Sequence, residues 1–183
     1  AMKIFTASIS PNGMRCAGEV SDGVFPVWMN PERFDLFEEP LEQGFAEAGG
    51  GKSLADFELA PFCTLVMGDD VEQCRVPVKH QLALYIGGMG ARDQNFYNDY
   101  AKRLGYEEAA VKIQDLFLEG QMAEAVAAVP DALVDDVALV GPADRIRDRL
   151  QAWKAAGEQR HVGSLLVGGG SVEALRVLAE EVL

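Results

Sequence analysis

Histidine and cysteine are scarce in these 183 residues, with two of the first and three of the second. His80 and His161 lie far apart in sequence, and Cys16, Cys63 and Cys74 form no C-x-x-C pair. No metal site is therefore expected. The cysteines each fall in an expected element rather than a loop, so they read as reduced core thiols of a cytoplasmic protein. Basic residues are also in deficit: 16 Lys and Arg stand against 29 Asp and Glu, for a net charge of −13. A surface that acidic repels nucleic acid and anionic lipid, and neither is expected as a partner. A small anionic ligand stays open, because a local nest of N–H groups can outweigh the global field. No run of 18 apolar residues is present, so no membrane span is expected. No secretory leader is visible either, since Ala1-Met2-Lys3 runs directly into an apolar stretch. A Rossmann-type binder is disfavoured: the first turn lacks G-x-G-x-x-G, and no acid ends the second apolar run to hold a ribose. Gly49-Gly50-Gly51-Lys52-Ser53 resembles the end of a P-loop, but Ala46 stands where the first glycine belongs and a helix precedes it. It reads as a flexible connection.

What is present is an ordinary globular composition, 49% hydrophobic and 25% charged. It is enough for a single domain over 1–183 with a substantial core. The chain is organised around its first turn. An apolar run from Lys3 to Ile9 reads as a buried strand, Ser10-Pro11-Asn12-Gly13 as a turn, and Met14 to Val20 as a helix stopped by Ser21-Asp22-Gly23. The next apolar run begins at once, which makes a compact βαβ crossover. The turn sits where a strand's carboxyl end meets a helix's amino end, a place that suits a phosphate. Ser8, Ser10 and Asn12 add side-chain donors and Gly13 allows close approach, so these four are the candidate ligand residues. The same residues would also serve as ordinary turn chemistry.

Further along, residues 23–29, 57–67 and 162–167 read as strands, and with 3–9 they alternate with helices, the pattern of a parallel α/β fold. Asn30-Pro31-Glu32 reads as a helix start, with Pro40 breaking or kinking the helix after Glu38. Asp69 or Asp70 caps a helix that Pro77 interrupts. Gly87-Gly88-Met89-Gly90 ends it, and Asn95 opens another that Gly105 stops. A long helix over 107–128 follows, so residues 71–135 form a helical excursion far longer than a βα crossover needs. Val137 to Val140 is a short apolar run of undecided state. Arg145, Arg147 and Arg149 read as a solvated helix face. Gly168-Gly169-Gly170-Ser171 is a second strand-to-helix turn and a weaker anion candidate, with fewer side-chain donors.

Three stretches carry a family resemblance. They are Thr6-Ala-Ser-Ile-Ser-Pro-Asn-Gly13 running into Ala17-Gly-Glu-Val-Ser-Asp-Gly23; Ala83-Leu-Tyr-Ile-Gly-Gly-Met-Gly90 with Asn95-Phe-Tyr97; and Val140-Gly-Pro-Ala-Asp-Arg-Ile-Arg147. With Arg103-Leu-Gly-Tyr106 added, the chain resembles the luciferase-like monooxygenase family, in particular its deazaflavin (F420)-dependent branch. The resemblance implies the C-terminal half of a TIM-type (β/α)8 barrel, with about four barrel strands and a helical insertion at 71–135. It implies an oxidoreductase using F420, or alternatively FMN, by hydride transfer or oxygen activation. It places the cofactor phosphate at Ser8, Ser10, Asn12 and Gly13, and assigns no catalytic acid or base. A half barrel leaves strand edges and an apolar face open, so the expected partner is a second copy or a complementary half-barrel chain. The alternative is a non-catalytic phosphate-ligand or assembly module. His80, Tyr85 and Asn95 read as structural residues.

Overall fold

The computed structural model describes residues 2–183. Its sheet grows from the first turn outward. Strands β1 (Phe5–Ala7), β2 (Gly23–Phe25) and β3 (Glu58–Leu59) pair in that order, all parallel. A second group has β4 (Phe62–Met67) at its centre, flanked by β5 (Ala138–Gly141) and β6 (Leu166–Gly169), again parallel. The two groups are continuous. The Ala60 and Phe62 amides donate to Val24 and Pro26 carbonyls, and Val27 bridges to Phe62. So β3 and β4 are one strand interrupted at Pro61, which has no N–H to give the ladder. Gly68 donates to Gly141 from the same edge that Ala60 and Phe62 present to β2. β5 thus takes over that edge where β2 leaves it, and β6 lines the other.

The helices are α1 (Pro11–Val20), α2 (Asp35–Ala48), α3 (Val71–Gly88), α4 (Phe96–Arg103), α5 (Glu107–Leu118), α6 (Met122–Ala127), α7 (Asp131–Val137), α8 (Ala143–Glu158) and α9 (Val172–Val182). One sheet face is sealed: Val24, Leu59, Cys63 and Leu65 are fully buried, among Met14, Ala17, Phe37 and Leu150 in the core. The register puts Phe5, Phe25, Phe62 and Leu166 on the other face. Phe5 and Phe25 stack with centroids 4.8 Å apart, yet Phe62 and Leu166 each keep 37% of their surface exposed. Among the described residues β1 pairs with β2 alone and β6 with β4 alone, so both outer edges are open.

The α/β alternation and the helical excursion are as the sequence reading expected, and several details differ. The strands are shorter than 3–9, 23–29 and 57–67, and the last is displaced from 162–167 to Leu166–Gly169. The undecided run at 137–140 is the strand β5, because β4 offers it a free edge. α1 begins at Pro11 rather than Met14: proline suits a first helical position, and Ser10 caps it through Gly13 N–H. Asn30-Pro31-Glu32 instead forms a turn, with Asn30 Oδ1 accepting from Glu32, and α2 starts at Asp35. Pro40 and Pro77 break neither α2 nor α3. Both lie in the first two turns, and tertiary burial of Phe37, Leu41, Cys74 and Val78 outweighs one lost bond each. The helix expected over 107–128 divides at Gly120, whose φ of 79° ends α5. Cys16 is exposed, so only Cys63 and Cys74 are core thiols.

Candidate functional site

The β1–α1 turn draws three of the four candidate residues together. A Cβ added to Gly13 would lie 1.9 Å from Ser8 Oγ and 3.0 Å from Ser10 Oγ, so the turn closes only around a glycine. Asn12 stands exposed on the first turn. Ser10, Pro11 and Asn12 line one wall of a cavity of about 410 Å³. Its backbone donors are fewer than the turn's position led the sequence reading to expect. Pro11 has no N–H, and the Gly13 N–H is donated to Ser10 Oγ at 3.2 Å. What this wall offers a ligand is Asn12 and the positive end of α1, while Ser8 Oγ occupies the space beside Gly13.

The opposite wall comes from the excursion. Phe96, Asp99 and Arg103 of α4 line the same cavity. The half-buried Arg103 donates to the Ile9 carbonyl, one residue before the cap, and its guanidinium lies 5.2 Å from the Tyr100 ring. Burial lowers its pKa from the ordinary arginine value, with Tyr100 and Asp99 pulling the other way. Sequence reasoning used Arg103 only as part of a motif. Its role depends on a contact 94 residues away, which no local pattern reports.

α4 is held rigidly over the strand ends. Asn95, 1% exposed, accepts from the Tyr97 and Asn98 amides and donates to the Tyr85 and Ile86 carbonyls that end α3. Asn98 adds donations to Ile86 and Ala110. Tyr100 Oη donates to the Trp28 carbonyl at 3.1 Å. Trp28 takes a φ of 53°, an uncommon conformation for a bulky residue, and its ring meets Tyr85 and Tyr97 edge-on or tilted. So Asn95 caps and Tyr85 packs, as expected. His80 is exposed on α3 and is not part of the lining of the turn's cavity.

The arginines of α3 and α8 are engaged rather than simply solvated. Arg75, with its side chain 11% exposed, pairs with Glu72, Asp131 and Asp135. Arg145 joins it on Asp135, Arg147 reaches Glu180, and Arg149 reaches Glu32 and Asn30. These pairs tie the excursion to α8, and α8 to α9 and the turn before α2. At the second glycine turn Ser171 caps α9 through Ala174 N–H, and the turn is exposed.

Comparison with known proteins places this geometry. The model of the luciferase-like monooxygenase family matches residues 2–160. A Mycobacterium tuberculosis protein, provisionally named a coenzyme F420-dependent oxidoreductase, is 36% identical over 176 residues, covering 96% of this chain and 50% of its own. The coenzyme F420-dependent tetrahydromethanopterin reductase of Methanopyrus kandleri superposes with a TM-score of 0.71 at 22% identity. That match covers 99% of this chain and 50% of the reductase. An F420-dependent secondary alcohol dehydrogenase, solved with an F420–acetone adduct, gives 0.60 at 15% identity, over 97% of this chain and 46% of its own. The chain thus spans about half the length of these relatives. With strands β1 to β5, the β1–α1 turn and the helical excursion all inside matched residues 2–160, the chain belongs to the luciferase-like monooxygenase family.

Proposed function

We propose that this chain forms the phosphate-binding half of an F420-dependent oxidoreductase. The observation that carries the reading is the 36% identity with the mycobacterial relative across 96% of the chain, a span that includes the β1–α1 turn. The residues of that turn fit an anionic group: Gly13 leaves no side chain in the way, and Ser8, Ser10 and Asn12 supply short polar groups. Ser8 and Asn12 would donate to the phosphate, Ser10 would keep the helix end ordered, and the α1 dipole would favour the negative charge. When bound, F420 would supply a ring that carries hydride, and the protein would supply orientation and exclusion of water. Titration of the chain with F420, read by cofactor fluorescence, tests this, with FMN as the competitor. Saturable binding of F420 in preference to FMN is expected; binding of neither overturns the reading.

The redox ring and the substrate need more walls than this chain has. Its matches cover half of each relative, and the face bearing Phe5, Phe25, Phe62 and Leu166 is partly exposed beside two open edges. In a (β/α)8 barrel such a face is the closed interior, and the active site draws groups from several strands at its carboxyl end. The occupant this favours is a complementary four-stranded half barrel, paired to β1 and β6. Light scattering with and without Phe62→Glu is the check. Association of the parent chain that the charge abolishes supports an interface on this face, and co-expression with a complementary half separates that partner from a second copy. A stable, soluble monomer overturns the requirement. F420 binding by such a monomer without turnover would favour the non-catalytic alternative.

A further inference from the structure

We propose that Arg103, delivered by the helical excursion rather than by the sheet, makes the β1–α1 cavity selective for a phosphate-bearing ligand. The proposal rests on the cofactor reading above and assigns it a residue that no sequence motif had marked as a ligand. The starting point is how little positive potential the turn provides by itself. Pro11 contributes no N–H, and the Gly13 N–H is spent on Ser10 Oγ. The chain carries a net charge of −13, and Asp99 lines the same cavity. A phosphate entering there without a cation would have only a helix end and neutral donors to set against Asp99 and the overall negative charge.

Arg103 supplies the cation, and its environment is unlike that of the other arginines around the strand ends. Arg33, Arg75, Arg145, Arg147 and Arg149 each sit on a carboxylate. Arg103 is half-buried, and among the described residues no carboxylate comes within 4.0 Å of it. Asp99, one turn away on α4, is instead within reach of Lys102 at 3.9 Å. Arg103 rests on a neutral carbonyl and an aromatic ring. Both orient a guanidinium, and neither neutralises it. A guanidinium has five N–H donors in a planar fork suited to phosphate oxygens, and one carbonyl leaves donors to spare. Because α4 is locked by Asn95, Asn98 and Tyr100, the cation reaches the turn already ordered. The excursion thereby becomes part of the ligand site.

The test compares the chain with its Arg103→Gln and Arg103→Lys variants. Each is titrated with F420 and with the same deazaflavin chromophore lacking the phosphate-bearing tail. Arg103→Gln is expected to weaken F420 about 10- to 100-fold and leave the tail-less chromophore unchanged. Arg103→Lys should recover part of the loss and the salt dependence that Gln removes. Equal weakening of both ligands, or of neither, overturns the proposal, since a purely structural role would not discriminate between them. A second readout needs no cofactor. The Arg103 Nε–Hε signal of ¹⁵N-labelled chain should move saturably on addition of inorganic phosphate; a signal that stays put also overturns the proposal. F420 binding with no phosphate response would leave the cofactor reading standing and remove Arg103 from it. A phosphate response without F420 binding would do the reverse.

Discussion

Asn95 concentrates more structural consequence than any other polar side chain on the excursion. It is 1% exposed and makes four hydrogen bonds, to the Tyr97 and Asn98 amides at 3.0 and 3.1 Å and to the Tyr85 and Ile86 carbonyls at 3.0 and 2.9 Å. Asn95→Ala strands both amides and the Tyr85 carbonyl, while Ile86 keeps the Asn98 side chain. Three orphaned groups at about 1 kcal/mol each give a loss of about 3 kcal/mol. Asn95→Asp is the sharper perturbation. Aspartate caps helices as well as asparagine does, so a role confined to capping would make this change nearly silent. Here the Asp would turn a donor into an acceptor facing two carbonyls, and it would bury a charge. It is expected to cost at least as much as alanine. Urea unfolding followed by the fluorescence of the buried Trp28 and Trp153 measures both variants against the parent, at constant m. An Asp variant within 1 kcal/mol of the parent, or clearly more stable than the Ala variant, would refute the claim that Asn95 clasps α3 to α4.

Three other expectations follow from the packing and from the thiols. Gly87→Ala should destabilise by about 1–3 kcal/mol by thermal or urea melt, although alanine is the better helix former, because the new methyl would lie 2.5 Å from Phe117 Cβ. Burial pushes the Cys63 thiol up to about 12 from 9.0. The unfolded chain therefore releases that proton first, and the contribution of Cys63 to stability, complete below pH 9, should be lost as pH rises from about 9 towards 12. A Cys63→Ala comparison of unfolding midpoints across that range isolates it. At pH 8 a thiol reagent should label the exposed Cys16 and spare Cys63 until the chain unfolds.

The amino-acid sequence determined the parts of this protein that local chemistry decides. Apolar runs bounded by turn residues announced the alternation of strands and helices. Asp70, Asn95 and Ser171 announced helix starts, because a short side-chain oxygen satisfies the orphan amides that follow it. The Ser8–Gly13 turn was legible for the same reason. Tertiary structure decided what depends on partners distant in the chain. Pro40 and Pro77 lie inside intact helices because buried neighbours hold those helices together. The run at 138–141 is a strand because β4 leaves it an edge. The Gly13 amide is occupied rather than free, and Arg103, 94 residues from the carbonyl it meets, stands beside the turn. A propensity or a cap is a property of a few adjacent residues. The charge that reaches a cavity is a property of how the whole chain folds back on itself.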